Sequence, residues 1–206
     1  MKLGLFLMIG VTMTAADMSG RYHLTGQREM GSELMLKPDG TFEFMWAYGS
    51  ADYWGRGTWK RDHDVVILTS ADSKLKPPFG LVKSAQGKAG ETRIRVVGPR
   101  GNPVPDIEVY LMVDGDEPIQ RRTDSDGVAL IETKSAGKRS VVFEIPEALY
   151  RGKALPLDDA AMHDFTFEIN GEAVTEMRFE NELLIIKGED LLMQHWPNGP
   201  QMRYTK

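Results

Sequence analysis

The chain has 206 residues, no cysteine and a formal net charge of −5 at pH 7. That charge argues against sequence-independent nucleic-acid binding, which needs lysine and arginine to neutralise phosphates, and against electrostatic docking to anionic lipid. The absence of cysteine excludes disulfides, thiol catalysis and thiolate metal sites, so stability must come from the burial of apolar surface.

Residues 1–16 have the three-part organisation of a secretory signal peptide, which we expect to be helical. Lys2 supplies the positive start, residues 3–13 are apolar, and Thr14-Ala15-Ala16 are the small residues that a signal peptidase accepts. The apolar run is shorter than the ~20 residues that span a bilayer, and no cysteine follows it to carry a lipid. We therefore expect an exported chain without a membrane anchor, periplasmic or extracellular, that starts near Asp17.

The region 17–72 predicts a β-meander, because its apolar residues alternate with polar ones. Phe42, Phe44 and Trp46 show the alternation, and Asp39-Gly40 is typical of a tight hairpin turn. The predicted strands are 21–26, 32–37, 41–47, 55–60 and 64–69.

Three further regions follow. Residues 73–90 are rich in Pro, Gly and Lys and predict a linker, and residues 91–150 predict a compact β-sandwich. Residues 151–206 offer strands without a core of their own, so we expect them to complete the N-terminal sheet, whose edges need cover. The predicted fold is all-β: an antiparallel meander or partial barrel plus a small β-sandwich unit.

Two stretches resemble known families. Gly101-Asn102-Pro103-Val104, followed by Thr123-Asp124-Ser125-Asp126-Gly127, resembles the turns of carboxypeptidase regulatory-like and transthyretin-like β-sandwiches, over about 55 residues. The resemblance implies an accessory or binding module and brings no catalytic residues.

Within residues 20–70, Gly20-Arg21-Tyr22 and Gly57-Thr58-Trp59 distantly resemble lipocalin-like barrels. The stretches 33–42, 48–52 and 57–60 are similar to ones in uncharacterised exported bacterial β proteins.

The aromatic residues between Trp46 and Trp59 form the candidate ligand-binding site. Tyr48, Tyr53 and Trp54, with Asp52 to orient a polar group, could stack on a sugar ring or line an apolar pocket. The alternative is that these aromatic side chains fill the core or cover the open end of the barrel.

We expect no cofactor and no metal. Asp124-Ser125-Asp126-Gly127 echoes a calcium loop, but the first ligand position would fall on Arg122 and the twelfth on Thr133, so a turn is the better interpretation.

The sequence predicts a non-catalytic binding or accessory module. Its partner is unknown: a small apolar or carbohydrate ligand and an envelope protein are the open possibilities, and nucleic acid is not expected. Two alternatives stand beside this function, a hydrolase whose site is dispersed in sequence and an envelope interaction or structural protein.

Overall fold

The computed structural model describes residues 18–28, 30–49, 51–133, 137–194 and 201–206. The expected signal peptide, residues 1–16, lies outside the described residues. The strands in chain order are β1 (Gly20–Thr25), β2 (Met30–Leu36), β3 (Thr41–Tyr48), β4 (Ala51–Asp62), β5 (Val65–Ser70), β6 (Phe79–Gln86), β7 (Glu91–Val97), β8 (Glu108–Val113), β9 (Ile119–Arg122), β10 (Val128–Glu132), β11 (Arg139–Ile145), β12 (Tyr150–Arg151), β13 (Leu155–Leu157), β14 (Met162–Ile169), β15 (Glu180–Lys187), β16 (Asp190–Met193) and β17 (Met202–Thr205). A single helical turn, α1 (Gly171–Val174), precedes β15. Within the described residues, no helix is long and apolar enough to span a membrane.

The all-β prediction is confirmed, and the expected meander or partial barrel is a closed one. Eight antiparallel strands close in the order β1-β17-β16-β15-β5-β4-β3-β2, so both ends of the chain contribute to one barrel. Closure leaves this sheet without a free edge.

A packed core fills the barrel. Inward positions alternate along each strand, as the period-two pattern predicts, and an eight-stranded barrel is only wide enough for side chains or one small ligand. Its large buried side chains are Tyr22, Phe42, Phe44, Trp46, Tyr53, Trp59, Phe179 and Tyr204. The ring of Phe179 meets those of Phe42 and Phe44 edge-on at 5.5 and 5.1 Å.

The chain divides into two compact units: the barrel, made of the described residues up to Asp72 together with Met177–Lys206, and a second unit, Ser73–Glu176. In the barrel, β5 and β15 pair antiparallel on either side of the point where the second unit begins and ends. The amide of Ser70 donates to the carbonyl of Phe179 at 2.8 Å, and the amide of Phe179 donates to the hydroxyl of Ser70 at 2.8 Å. The second unit therefore interrupts what would otherwise be a hairpin.

Two open sheets form the second unit. One has the order β10-β7-β14-β6, with β7 and β14 parallel; the other has the order β12-β11-β8-β9, with β13 paired to β11. Both sheets bury apolar residues in one core, which includes Ile94, Val109, Phe143 and Phe167.

The segment expected to be a linker contains β6. Pro77 and Pro78 directly precede this strand. Its first residue, Phe79, stacks on Phe143 with ring centroids 4.1 Å apart. Most of β6 is exposed, including Leu81 and Val82. An exposed edge strand lacks the apolar alternation from which strands are predicted, which explains why the sequence pattern pointed to a linker.

The sequence also predicts a strand over residues 174–179, but no strand of the structure covers them. Asn170 is the N-cap of α1, and the chain then runs to Met177, whose amide donates to the carbonyl of Trp54 at 2.7 Å. Val174 packs in the second unit and Phe179 in the barrel, so the apolar residues of this segment belong to two separate cores.

Candidate functional site

The candidate site lies on the hairpin formed by β3 and β4. The turn falls at Gly49, whose positive φ of 61° suits glycine. Across the ladder Trp46 is opposite Tyr53, Met45 is opposite Trp54, and Ala47 is opposite Asp52. Because β4 begins at Ala51, residues 52–54 belong to a strand and alternate between the two faces of the barrel wall.

Tyr53 points into the barrel. It is 4% exposed, and its ring stacks on that of Trp46 with centroids 4.9 Å apart and planes 30° from parallel. Burial raises the pKa of the Tyr53 hydroxyl. That hydroxyl is inaccessible to solvent and has no hydrogen-bond partner among the described residues. A buried hydroxyl without a partner costs about 1–3 kcal/mol and calls for an explanation.

Asp52 and Trp54 lie on the outer face instead. Asp52 is exposed, and Trp54 is partly buried with the guanidinium of Arg56 5.3 Å from its ring. The side chain of Tyr48 lies outside the described part of the structure. Strand alternation thus separates Tyr53 from Asp52 and Trp54.

Two other buried tyrosines in the barrel do have partners. The hydroxyl of Tyr22 donates to the carbonyl of Met18 at 2.8 Å, and that of Tyr204 lies 2.9 Å from the hydroxyl of Ser32. Burial raises the pKa of each to about 12. Tyr53 therefore differs from Tyr22 and Tyr204, whose hydroxyls both have a hydrogen-bond partner within the fold.

Methionines surround the end of the barrel that carries the β3–β4 turn, here called the hairpin end. Met30 begins β2, Met193 ends β16 and Met202 begins β17, while Met177 lies beside Trp54. Met193 and Met202 are buried, and Met30 and Met177 are partly buried against the same core. These side chains come from four separate segments, and no local sequence pattern indicates that they share one end of the barrel.

The Asp124 turn has the structure that its sequence predicts. The carboxylate of Asp124 accepts hydrogen bonds from the amides of Asp126 and Val128, each at 2.9 Å, and Gly127 follows with φ 70°. Its carboxylate therefore caps backbone amides. In the described part of the chain, no group of three or more His, Asp or Glu residues is placed to hold a metal ion.

Comparison with known proteins gives no significant match, whether to a protein-family model, a curated protein or a solved structure.

Proposed function

We propose that this protein is a non-catalytic binding protein, exported to the periplasm or the extracellular space, that holds a small, mainly apolar ligand at the hairpin end of its barrel. The observation that carries the proposal is the buried, unpartnered hydroxyl of Tyr53 beside the ring of Trp46. An apolar ligand with one hydrogen-bond acceptor would satisfy that hydroxyl and pack its remainder against apolar side chains.

The methionine side chains at the hairpin end would line the entrance through which the ligand binds. Methionine has three rotatable bonds and a polarisable sulfur, so it adapts to guests of different shape at little cost. Met30 and Met177 are partly exposed and lie at the rim, whereas the aromatic side chains of Trp46 and Tyr53 are buried. The ligand would therefore occupy the end of the barrel rather than its centre.

The lipocalin-like resemblance of residues 20–70 and the regulatory-like resemblance of residues 91–150 support a binding or accessory role. Export rests on residues 1–16. Expression in a secreting bacterium, followed by intact-mass measurement, should give a mature protein that starts at Asp17; a product that retains residues 1–16 would contradict export by a cleaved signal.

Ligand binding can be tested with N-phenyl-1-naphthylamine, an apolar dye that brightens when it leaves water, and with 1-dodecanol as a competitor. We expect dye binding and a change in tryptophan emission, and displacement of the dye by dodecanol. Tyr53→Phe should weaken dodecanol binding about 5–10-fold, the worth of one hydrogen bond, and leave dye binding within about twofold.

Trp54→Phe is the matched control, because Trp54 neighbours Tyr53 but lies on the outer face. It should leave both affinities unchanged. The proposal fails if the dye does not bind, or if Trp54→Phe weakens dodecanol binding as much as Tyr53→Phe does.

One observation favours the envelope-interaction alternative. Among the described residues β6 pairs with β14 alone, so its other edge is open, and Leu81 and Val82 on it are 49% and 57% exposed. Open edges accept a further strand from a partner. A photo-crosslinking residue at Val82, tested in the protein's own cells, should trap a defined partner if the edge is used, and a control at exposed Lys187 should not.

A further inference from the structure

The outer face of the sheet β9-β8-β11-β12 carries a row of four charged side chains. In order across the strands these are Arg122, Glu108, Glu144 and Arg151, each directly opposite the next in register. Arg122 lies 3.3 Å from Glu108, and Arg151 lies 3.7 Å from Glu144. The two carboxylates face each other across β8 and β11, an arrangement that costs free energy unless cations flank it.

A groove of about 380 Å³ lies beside this row. Its lining includes the apolar parts of Tyr110, Met112 and Val142, with Gln120 and Arg151 as polar members. Tyr110 is fixed in place, since its hydroxyl donates to Glu108 at 3.1 Å and the guanidinium of Arg151 lies 5.5 Å from its ring. The volume is at the lower end of what small-molecule sites occupy.

Two polar groups of the groove have unused hydrogen-bonding capacity. The guanidinium of Arg151 donates no hydrogen bond to any described residue, and it is held only by its ion pair and by the ring of Tyr110. Gln120 uses its amide nitrogen on Glu108, which leaves its side-chain carbonyl free among the described residues. The groove thus offers several donors and an acceptor above an apolar surface.

The charged side chains around the groove favour an uncharged ligand. The charges of the two arginines and two glutamates in the row sum to zero. In addition, the carboxylates of Asp106 and Glu147 lie 3.5 and 3.7 Å from the guanidinium of Arg122. An anion would meet these carboxylates, and a cation would meet Arg151 at the groove itself. An uncharged ligand that both donates and accepts hydrogen bonds, and has an apolar ring face, fits best.

We infer that this groove binds a neutral saccharide. One sugar ring would lay its C–H face on Tyr110 and Met112, while its hydroxyls accept from Arg151 and donate to Gln120. The site belongs to the second unit alone and is independent of the ligand proposed for the barrel.

Titration calorimetry of the full chain with cellohexaose, laminarihexaose and chitohexaose tests the inference. We expect at least one of them to bind with a Kd on the order of 0.1 mM. Arg151→Ala should weaken binding about tenfold or more. Its thermal unfolding is measured alongside, because the substitution removes the cation that pairs with Glu144. Tyr110→Ala should weaken it at least as much.

Arg93→Ala is the matched control, since Arg93 lies on the other sheet of the same unit and pairs with Asp164. It should leave the affinity within about twofold.

The inference is overturned if none of the three neutral saccharides binds, or if polygalacturonate binds and they do not. It is also overturned if Arg151→Ala and Tyr110→Ala leave binding unchanged.

Discussion

The guanidinium of Arg139 donates a hydrogen bond of 3.0 Å to the hydroxyl of Thr92, and both residues are buried. The other terminal nitrogen donates to the backbone carbonyls of Asp159 and Met162 at 3.2 and 2.7 Å. Arg139 therefore fastens the segment between β13 and β14 to the core with one side chain.

Replacing Arg139 should destabilise the second unit strongly. Arg139→Met leaves the buried Thr92 hydroxyl and two less buried backbone carbonyls without their donor, and a buried polar group left unpaired costs about 1–3 kcal/mol. We expect a loss of about 3 kcal/mol or more, seen by calorimetry as a lower melting temperature for this unit. Thr92→Val removes one hydrogen bond and should cost about 1–2 kcal/mol. Equal losses in the two variants would contradict the role of Arg139 as a clamp.

Tyr53→Phe and Tyr204→Phe should differ in stability although both remove a buried hydroxyl. Tyr204→Phe breaks the hydrogen bond with Ser32 and should cost about 1 kcal/mol, whereas Tyr53→Phe breaks none and should be neutral or slightly stabilising. Tryptophan fluorescence during urea unfolding measures both, because Trp46 and Trp59 are buried in the barrel. A Tyr53→Phe loss as large as that of Tyr204→Phe would show that the hydroxyl has a partner.

The barrel should lose stability at alkaline pH. Tyr22 and Tyr204 have a pKa of about 12 when folded and about 10 when unfolded, so below pH 10 both states keep the proton and stability is unaffected. Between pH 10 and 12 only the folded state keeps it, and the free energy of unfolding falls by up to about 1.4 kcal/mol per pH unit for each tyrosine. Unfolding curves at pH 9, 10 and 11 measure the slope, and Tyr204→Phe should make it shallower. A flat profile would contradict the prediction.

The second unit should fold alone only with all its strands. A fragment of residues 73–176 should unfold cooperatively, because it keeps β6 and β14, which supply Phe79, Phe165 and Phe167 to the core. A fragment of residues 91–150, the span first expected from sequence, lacks these rings and should not fold. Far-ultraviolet circular dichroism with thermal melting distinguishes them, and a cooperative melt of the shorter fragment would contradict this account.

Local patterns predicted most of the strands, and long-range pairing decided the rest. Phe42, Phe44 and Trp46 occupy every second position of one strand, so the sequence itself predicts that their side chains share the inward face. The parallel pairing of β7 with β14 joins segments far apart in the chain, and no local signal encodes it.

The candidate site, too, depends on features of strand pairing that the local sequence does not reveal. The cluster from Trp46 to Trp54 was visible in sequence, but Tyr53 separates from Asp52 and Trp54 because β4 starts earlier than its apolar pattern suggests. Arg151 and Gln120, by contrast, meet at Tyr110 only through the pairing of four strands, and neither stands out in its own segment.

The interrupted β5–β15 hairpin has a consequence for the order of folding. Closing the barrel across an unfolded insert means closing a loop of roughly a hundred residues, and a tenfold shorter loop would cost about 2 kcal/mol less. In the second unit, Asn170 bonds to the carbonyls of Lys76 and Pro78, so this unit, once folded, brings its own two ends together. We therefore expect the insert to fold first, which brings the start of β15 close to the end of β5 before the barrel closes.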